Sequence, residues 1–377
     1  MNINAPSEAA APAVTVAAHL QAALPQDGSR SELCASVIPS LLECVADISR
    51  ALRGAQHVSR VGTANTFGDD QLNVDVVAEG LVRAALARCP SVWTASSEED
   101  PVERAVRPLA EQSSELAEQY TIAFDPLDGS SIIAPNWTVG TILGIWDGKS
   151  ALDQAPATKQ VAAVLGVYGP RTTAIVALRV KGAKPTCFEV GLTGESSWEL
   201  VRPTVLLPAG RMDVAMAAAS ATRVKYFSPA NLRAASEDEN YRGLVEHYIR
   251  QRYTLRYSGG LVPDVVHALS KGNGVYLSPV APGSKAKLRR LYELCPLALI
   301  VECAGGRALD ASTAWDTLRV PVMSCNETAG LVCGTDVEVE LAIKTLLIGR
   351  VGFKVDVPPK VVADGSPLEV LLNRQQG

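Results

Sequence analysis

The residues best suited to chemistry in this chain are carboxylates placed at the ends of apolar runs. Glu98 and Glu99 follow the run Val92–Ala95, Asp125 and Asp128 follow Tyr120–Phe124, and Asp69, Asp70 and Asp75 flank the start of a helix-periodic stretch. Glu293 lies inside the apolar segment Leu291-Tyr292-Glu293-Leu294-Cys295-Pro296, where an unpaired buried carboxylate would be costly. Alone, a Glu-Glu pair in a loop is usually just solvated, and Asp-Pro-Leu-Asp-Gly is an ordinary turn. Together they suggest convergence, and converging carboxylates repel unless cations neutralise them. An oxygen-only donor set with no thiol or imidazole suits Mg²⁺ or Mn²⁺. Two such ions about 3.5–4 Å apart can hold a phosphoryl oxygen and activate a water for in-line attack.

The turn that follows the second run adds a phosphate cradle. In Asp125-Pro126-Leu127-Asp128-Gly129-Ser130-Ser131, Pro126 fixes its backbone angle and Gly129 permits close approach. Ser130 and Ser131 then offer N–H groups and hydroxyls at an incipient helix N-terminus, a geometry that binds phosphate. A ligand turn and a phosphate cradle in one heptapeptide point to phosphomonoester chemistry.

The elements that must position these acids can be read from periodicity. Globular patterning begins at Ser31, and Leu41, Leu42, Val45 and Ile48 fall at helical spacing. A second helix is expected over Asp70–Arg88. Val92–Ala95, Tyr120–Phe124, Thr138–Trp146, Ala162–Tyr168 and Thr173–Val180 read as strands, and Thr186–Pro203 continues the β texture. Further on, Tyr241–Gln251, Lys285–Leu294 and Val337–Leu347 read as helices, and the apolar run Leu297–Cys303 as a buried strand. There is no internal repeat.

These segments suggest residues 1–30 as a disordered or weakly helical tail outside the fold, and 31–207 as an α+β domain carrying the metal and phosphate site. A break at Pro208-Ala209-Gly210 then opens an α/β domain over 208–357, before a tail at 358–377. The 377 residues, 47% of them hydrophobic, suffice for a large core. A net charge of −5 argues against non-specific nucleic-acid binding, and no apolar run is long enough to span a membrane. The eight cysteines form no C-x-x-C pair, and with four scattered histidines they read as buried free thiols in a reducing compartment, not a zinc site. The chain is expected to be cytoplasmic.

Phe-Asp-Pro-Leu-Asp-Gly-Ser-Ser at 124–131 resembles the signature of the fructose-1,6-bisphosphatase family, part of the lithium-sensitive, magnesium-dependent phosphatases. Phe-Gly-Asp-Asp-Gln-Leu (67–72), Tyr-Gly-Pro-Arg-Thr-Thr (168–173), Phe-Ser-Pro-Ala-Asn-Leu-Arg (227–233), Tyr-Thr-Leu-Arg-Tyr-Ser-Gly-Gly-Leu-Val-Pro-Asp (253–264) and Lys-Ala-Lys-Leu-Arg (285–289) resemble its sedoheptulose-1,7-bisphosphatase branch. The resemblance covers about residues 35–350. It implies an α/β (α+β) fold with αβαβα layers, a homodimer or homotetramer, and two or three Mg²⁺ ions, with Mn²⁺ as substitute. By that resemblance Glu98, Asp125, Asp128, Glu293 and the Leu127 carbonyl are metal ligands. Asp69, Asp75 and Glu99 help a further metal or polarise the attacking water. Gly129, Ser130 and Ser131 hold the scissile phosphate, while Asn231, Arg233, Arg256, Tyr257 and Lys287 grip the sugar and its distal phosphate. The implied substrate is sedoheptulose 1,7-bisphosphate, with fructose 1,6-bisphosphate as the alternative. An inositol-monophosphate role would not need the distal clamp, and a dead homologue would usually have lost a metal ligand.

Some positions depart from the pattern. The cysteine pair that precedes the Phe-Gly-Asp block in plastid relatives is absent from His57–Asn65, so thioredoxin-type activation is not expected. Ala134 stands where an Asp is usual, and Arg233 and Ser278 stand where the fructose enzymes have tyrosines. Gln119 replaces a Lys of the animal-type AMP site, so AMP inhibition is not expected.

Overall fold

A large sheet organises the first half of the chain. Its strands come from the run β1 (Arg60–Ala64), β2 (Asp70–Leu72), β3 (Val92–Ser97), β4 (Arg104–Ala105), β5 (Tyr120–Asp128), β6 (Val139–Asp147), β7 (Gln160–Tyr168), β8 (Thr172–Leu178), β9 (Thr186–Thr193) and β10 (Ser197–Arg202). Eight of them pair in the order β10-β9-β8-β7-β6-β5-β3-β4, while β1 and β2 form a separate antiparallel pair. Only β3 and β5 run parallel within the large sheet. Strands β5, β7 and β8 are buried along their whole length, which explains why their sequences are apolar on both faces and not alternating. The helices of this half are α1 (Val16–Ala22), α2 (Ile38–Gly54), α3 (Asn73–Ala87) and the single turn α4 (Pro156–Lys159). The computed structural model describes residues 14–25, 27–64, 70–108, 116–208 and 224–349.

The second half supplies β11 (Tyr226–Pro229), β12 (Thr254–Leu255), β13 (Val275–Ser278), β14 (Leu288–Arg289), β15 (Arg307–Leu309), β16 (Thr328–Ala329) and β17 (Leu331–Gly334), with α5 (Glu239–Arg250), α6 (Leu261–Lys271), α7 (Cys295–Cys303) and α8 (Asp336–Leu346). A five-stranded sheet runs β12-β11-β13-β17-β15, and β14 pairs with β16 apart from it.

Three apolar cores stack these elements into five layers. Leu41, Val45, Val82 and Leu86 of α2 and α3 pack with Ile122, Phe124 and Val164 on one face of the large sheet. Ala123, Ile142 and Leu165 on its other face pack with Val262 of α6, Leu297 and Leu299 of α7, and Tyr276 and Cys333 of the second sheet. Val275, Leu277 and Val332 then pack against Tyr241, Leu244, Val339 and Ile343 of α5 and α8. Neighbours on a strand alternate between cores (Ile122, Ala123 and Phe124, for example), as the two-residue period of a strand requires. The αβαβα layering expected from the resemblance is therefore present. All eight cysteines are free thiols.

The structure differs from the sequence expectation at several elements. Leu297–Cys303 is not a strand but the body of α7, with Pro296 in its first turn. A helix clamped between two sheets has no polar face, so it loses the 3.6-residue signal and reads as an apolar run. Lys285–Leu294 is not one helix: Leu288–Arg289 pairs with Thr328–Ala329, and only Arg290–Leu294 coils, leading directly into α7. The Asp70–Arg88 helix starts at Asn73, because Asp70–Leu72 pairs with Arg60–Ala64. Within 1–30, Val16–Ala22 is a helix and Leu20 is only 1% exposed, its neighbour His19 meeting the Phe188 ring edge-on at 4.6 Å. The part of that tail after residue 13 thus packs onto the core. The expected boundary at 208 abuts residues 209–223, which lie outside the described residues, as does the 358–377 tail. No helix among the described residues is long and apolar enough to cross a membrane.

Candidate active site

The acids collect where the parallel strands β3 and β5 end side by side. Glu98 continues the β3 ladder, its N–H donating to the Phe124 carbonyl at 3.1 Å. That pairing sets Glu98 beside Asp125. On β5 the register slips: Asp125 opposes Ile142 and Asp128 opposes Gly140, so Pro126 and Leu127 face the single residue Thr141. Residues three apart on a regular strand point to opposite faces; one extra residue restores the parity and turns Asp125 and Asp128 the same way. The Thr141 hydroxyl donates to the Pro126 carbonyl at 2.8 Å and steadies this bulge.

Glu293 arrives from the other half of the chain, on the coil that leads into α7. Its carboxylate accepts from the Arg289 N–H, and it is 6% exposed. Oxygens of Glu98, Asp125 and Glu293 all lie within 4.8 Å of one another, the one such acidic cluster among the described residues. Burial pushes the Asp125 carboxyl well above the usual range, and Glu98, Asp128 and Glu293 push it further. Burial, then Glu98, does the same for Glu293. Three carboxylates this close, two of them buried and the third, Glu98, half-buried, repel one another and form a donor set of hard oxygens alone, which fits a divalent cation such as Mg²⁺ or Mn²⁺.

Asp128 stands beside this trio but is engaged elsewhere. Its two oxygens accept from the Leu261 and Val262 N–H groups at 3.1 and 2.6 Å, at the N-terminus of α6. The helix amides hold its charge, yet burial still lifts its pKa to about 6. Gly140 makes this possible: a Cβ built there would lie 2.5 Å from Val262 Cβ, so only glycine lets α6 sit against β6. Leu127 is buried, its N–H donating to Asp125 Oδ1 at 3.0 Å. Gly129 takes the left-handed conformation (φ 88°) that starts the short coil Ser130–Ile132, leaving Ser130 half-buried and Ser131 exposed.

Asp75 caps its own helix: its Oδ2 accepts from the Leu72 N–H at 2.9 Å, while Oδ1 is buried with no partner. Burial, with a smaller push from Glu99, raises its pKa to about 7. Asp69 lies outside the described residues. Arg256 and Tyr257 line a cleft of about 860 Å³ with Trp137, Tyr168 and His267. Arg233 is exposed and close enough to Tyr257 to pull its phenol pKa down against burial, which raises it. Asn231 is already committed: it adopts φ 49°, donates to the Pro279 carbonyl at 2.8 Å and accepts from Ser284 Oγ at 2.6 Å. It pins the connection that carries the exposed Lys287.

Arg289, the last residue of Lys-Ala-Lys-Leu-Arg (285–289), also belongs with the acidic cluster, although its sequence context gives it no role. It is 9% exposed, its Nε sits 3.7 Å from Glu98 Oε1, and its N–H serves Glu293. A lone arginine in sequence reads as a surface charge; its spacing, four residues before Glu293, is the signal that the sequence offers.

Comparison with known proteins agrees with this geometry. Residues 20–193 match the family described as fructose-1-6-bisphosphatase, N-terminal domain, and residues 221–347 its C-terminal domain. The chain is 40% identical over 273 residues to the chloroplastic sedoheptulose-1,7-bisphosphatase of Triticum aestivum, covering 72% of this chain and 63% of that protein. It is 35% identical to the Spinacia oleracea protein of the same name, over 81% of this chain and 73% of that one. To the class 1 fructose-1,6-bisphosphatase of Geobacter sulfurreducens it is 30% identical, over 81% and 90%. Among solved structures, a Toxoplasma gondii protein provisionally named a sedoheptulose-1,7 bisphosphatase superposes with TM-score 0.75 at 32% identity, covering 88% of this chain and 98% of that one. Two matched domains in sequence order, and relatives at this identity across most of their length, place the chain in the fructose-1,6-bisphosphatase family of metal-dependent sugar-bisphosphate phosphatases.

Proposed function

We propose that the chain hydrolyses the 1-phosphate of sedoheptulose 1,7-bisphosphate, giving sedoheptulose 7-phosphate and inorganic phosphate, with two or three Mg²⁺ ions that Mn²⁺ can replace. The observation that carries this reading is the meeting of Glu98, Asp125 and Glu293, from distant parts of the chain, within 4.8 Å. Asp128 and the Leu127 carbonyl complete the ligand set; a carboxylate has about four lone-pair sites, so two helix amides leave Asp128 room to bind a cation. The loaded centre would polarise a phosphoryl oxygen and lower the pKa of a bound water. Asp75 would accept the proton of the attacking water, with Glu99 and Asp69 as the neighbouring acids that help orient it; a carboxyl with its pKa near 7 and an unpartnered oxygen, as in Asp75, is suited to this. Gly129, Ser130 and Ser131 hold the scissile phosphate. Arg256, Tyr257 and Arg233 face the sugar and its distal phosphate, with Asn231 and Lys287 on the connection behind them. Binding energy gathered at that remote end can then be used at the reacting end.

The seven-carbon substrate is favoured by the identities of 35–40% to sedoheptulose bisphosphatases over the 30–34% to class 1 fructose enzymes. Hydrolysis of fructose 1,6-bisphosphate is the second reading, supported by the family match itself. A homodimer or homotetramer is the assembly implied by the family resemblance. A cytoplasmic location fits eight free thiols. Phosphate release from both bisphosphates, with a Mg²⁺ titration and an EDTA control, tests the reading. A higher kcat/KM on the seven-carbon sugar is expected; a preference for fructose 1,6-bisphosphate would replace the substrate, and activity that survives EDTA would end the metal mechanism.

A further inference from the structure

Glu79 has no role in the chemistry above, yet it stands where three acid-bearing elements meet. Its Oε1 accepts from Arg83 Nε at 2.6 Å and from Ser97 Oγ at 2.9 Å. Ser97 is fully buried at the end of β3, immediately before Glu98. The Ser97 hydroxyl also accepts from the Asp100 N–H at 2.9 Å, and the Ser97 N–H donates to the Asp100 carbonyl at 3.2 Å. These two bonds close the turn that carries Glu98 and Glu99. Arg83 reaches Asp100 Oδ2 at 3.4 Å, and its guanidinium lies 5.8 Å from the centre of the Phe124 ring. Phe124 directly precedes Asp125. Asp75 is one turn before Glu79 on α3, on the same helix face.

An i, i+4 pair such as Glu79–Arg83 would by itself only add a little to helix stability. Here both partners reach out of the helix, one to the β3 turn and the other to that turn and to β5. A cluster of like charges has no attraction of its own to hold it together, so its spacing must be imposed from outside. We propose that Glu79, through Ser97 and Arg83, is a positioning residue that fixes the spacing of Asp75, Glu98, Glu99 and Asp125 and thereby sets how tightly the cluster binds divalent cations. The inference rests on the cation-binding reading of that cluster.

The test is direct Mn²⁺ binding to the full chain, followed by electron paramagnetic resonance of the free ion, for wild type, Glu79→Ala, Glu79→Gln and Ser97→Ala. Thermal melts and phosphate-release assays run in parallel. Glu79→Ala should weaken Mn²⁺ binding by about 10–100-fold, the range known for residues that orient metal ligands from behind. Glu79→Gln, which can still accept from Ser97 but no longer faces Arg83 with a charge, should fall between. Half-saturating Mg²⁺ in the assay should rise in step while KM for the sugar bisphosphate holds. Combining Glu79→Gln with Ser97→Ala should cost less than the sum of the two, since they break one linkage. Wild-type Mn²⁺ affinity in Glu79→Ala overturns the proposal, as does a variant that loses only thermal stability. If Glu79→Ala fails to fold, wild-type affinity in both Glu79→Gln and Ser97→Ala overturns it instead. A wild-type chain that binds Mn²⁺ without releasing phosphate refutes the hydrolase reading while this comparison still decides the role of Glu79; a wild-type chain that binds no Mn²⁺ refutes both.

Discussion

Asp125 is buried and crowded by Glu98, Asp128 and Glu293, so its charge opposes folding whenever no cation is present. Asp125→Asn keeps the acceptor for the Leu127 N–H and removes that repulsion. The metal-free variant should melt later than wild type, by about 0.5–2 kcal/mol of stability, while phosphate release falls at least about 100-fold. Calorimetry in EDTA beside the activity assay reads both, and a variant that is less stable and still active would contradict the account. The same crowding has a pH signature. Asp75 and Asp128 are raised from 3.8 to about 7 and about 6, so the folded chain holds protons that the unfolded chain releases. Stability from these groups is therefore full below about pH 4 and declines as pH rises toward 7. Melting temperatures in EDTA should fall between about pH 4 and pH 7, and saturating Mg²⁺ should reduce that fall; a curve indifferent to Mg²⁺ would count against it.

Helix α6 is the element on which the Asp128 end of the site depends, since its first two amides hold the carboxylate. Gly140→Ala would put a Cβ within 2.5 Å of Val262 Cβ and force the helix off β6. A loss of about 1–3 kcal/mol is expected from the overpacking, with a rise in the Mg²⁺ needed for half-maximal rate. A Gly140→Ala protein with wild-type stability and metal response would show that the helix can shift without disturbing Asp128. At this scale the sequence was legible unevenly. The acids of β3 and β5 could be found because each closes an apolar strand, and the Asp125–Ser131 turn announces itself by Pro126 and Gly129. The bulge that turns Asp125 and Asp128 together could not be read, because it depends on pairing with Thr141. Leu297–Cys303 was misread for the reason that makes it a core helix: apolar neighbours on every side erase the periodicity. Glu293 was found in spite of that, since one acid in an apolar run is conspicuous whichever way the run folds. Arg289 and Glu79 stayed hidden because their roles are set by contacts across elements, with Glu98 and with Ser97.

For the molecule as a whole, the middle layer is where the two sheets are joined. Leu299 of α7 is fully buried in the core that both sheets share. Leu299→Ala should cost about 2–5 kcal/mol and lower the melting of both halves together in one transition. Two separated transitions in the variant would mean that the halves fold independently of this layer. The acidic cluster spans the same junction: Glu98 follows β3 and Asp125 stands on β5 of the first sheet, and Glu293 stands on the coil running into α7.

A ribosome delivers this chain from its N-terminus, at roughly 5–20 residues per second. The strands bearing Glu98 and Asp125 therefore emerge well before Glu293 does. The half that is made first can shape the Asp125–Ser131 turn, but it lacks the third acid of the Glu98, Asp125 and Glu293 cluster. Hydrolytic capacity would arise only after Glu293 has been made, so a product truncated before it would carry the signature turn and have no phosphatase activity.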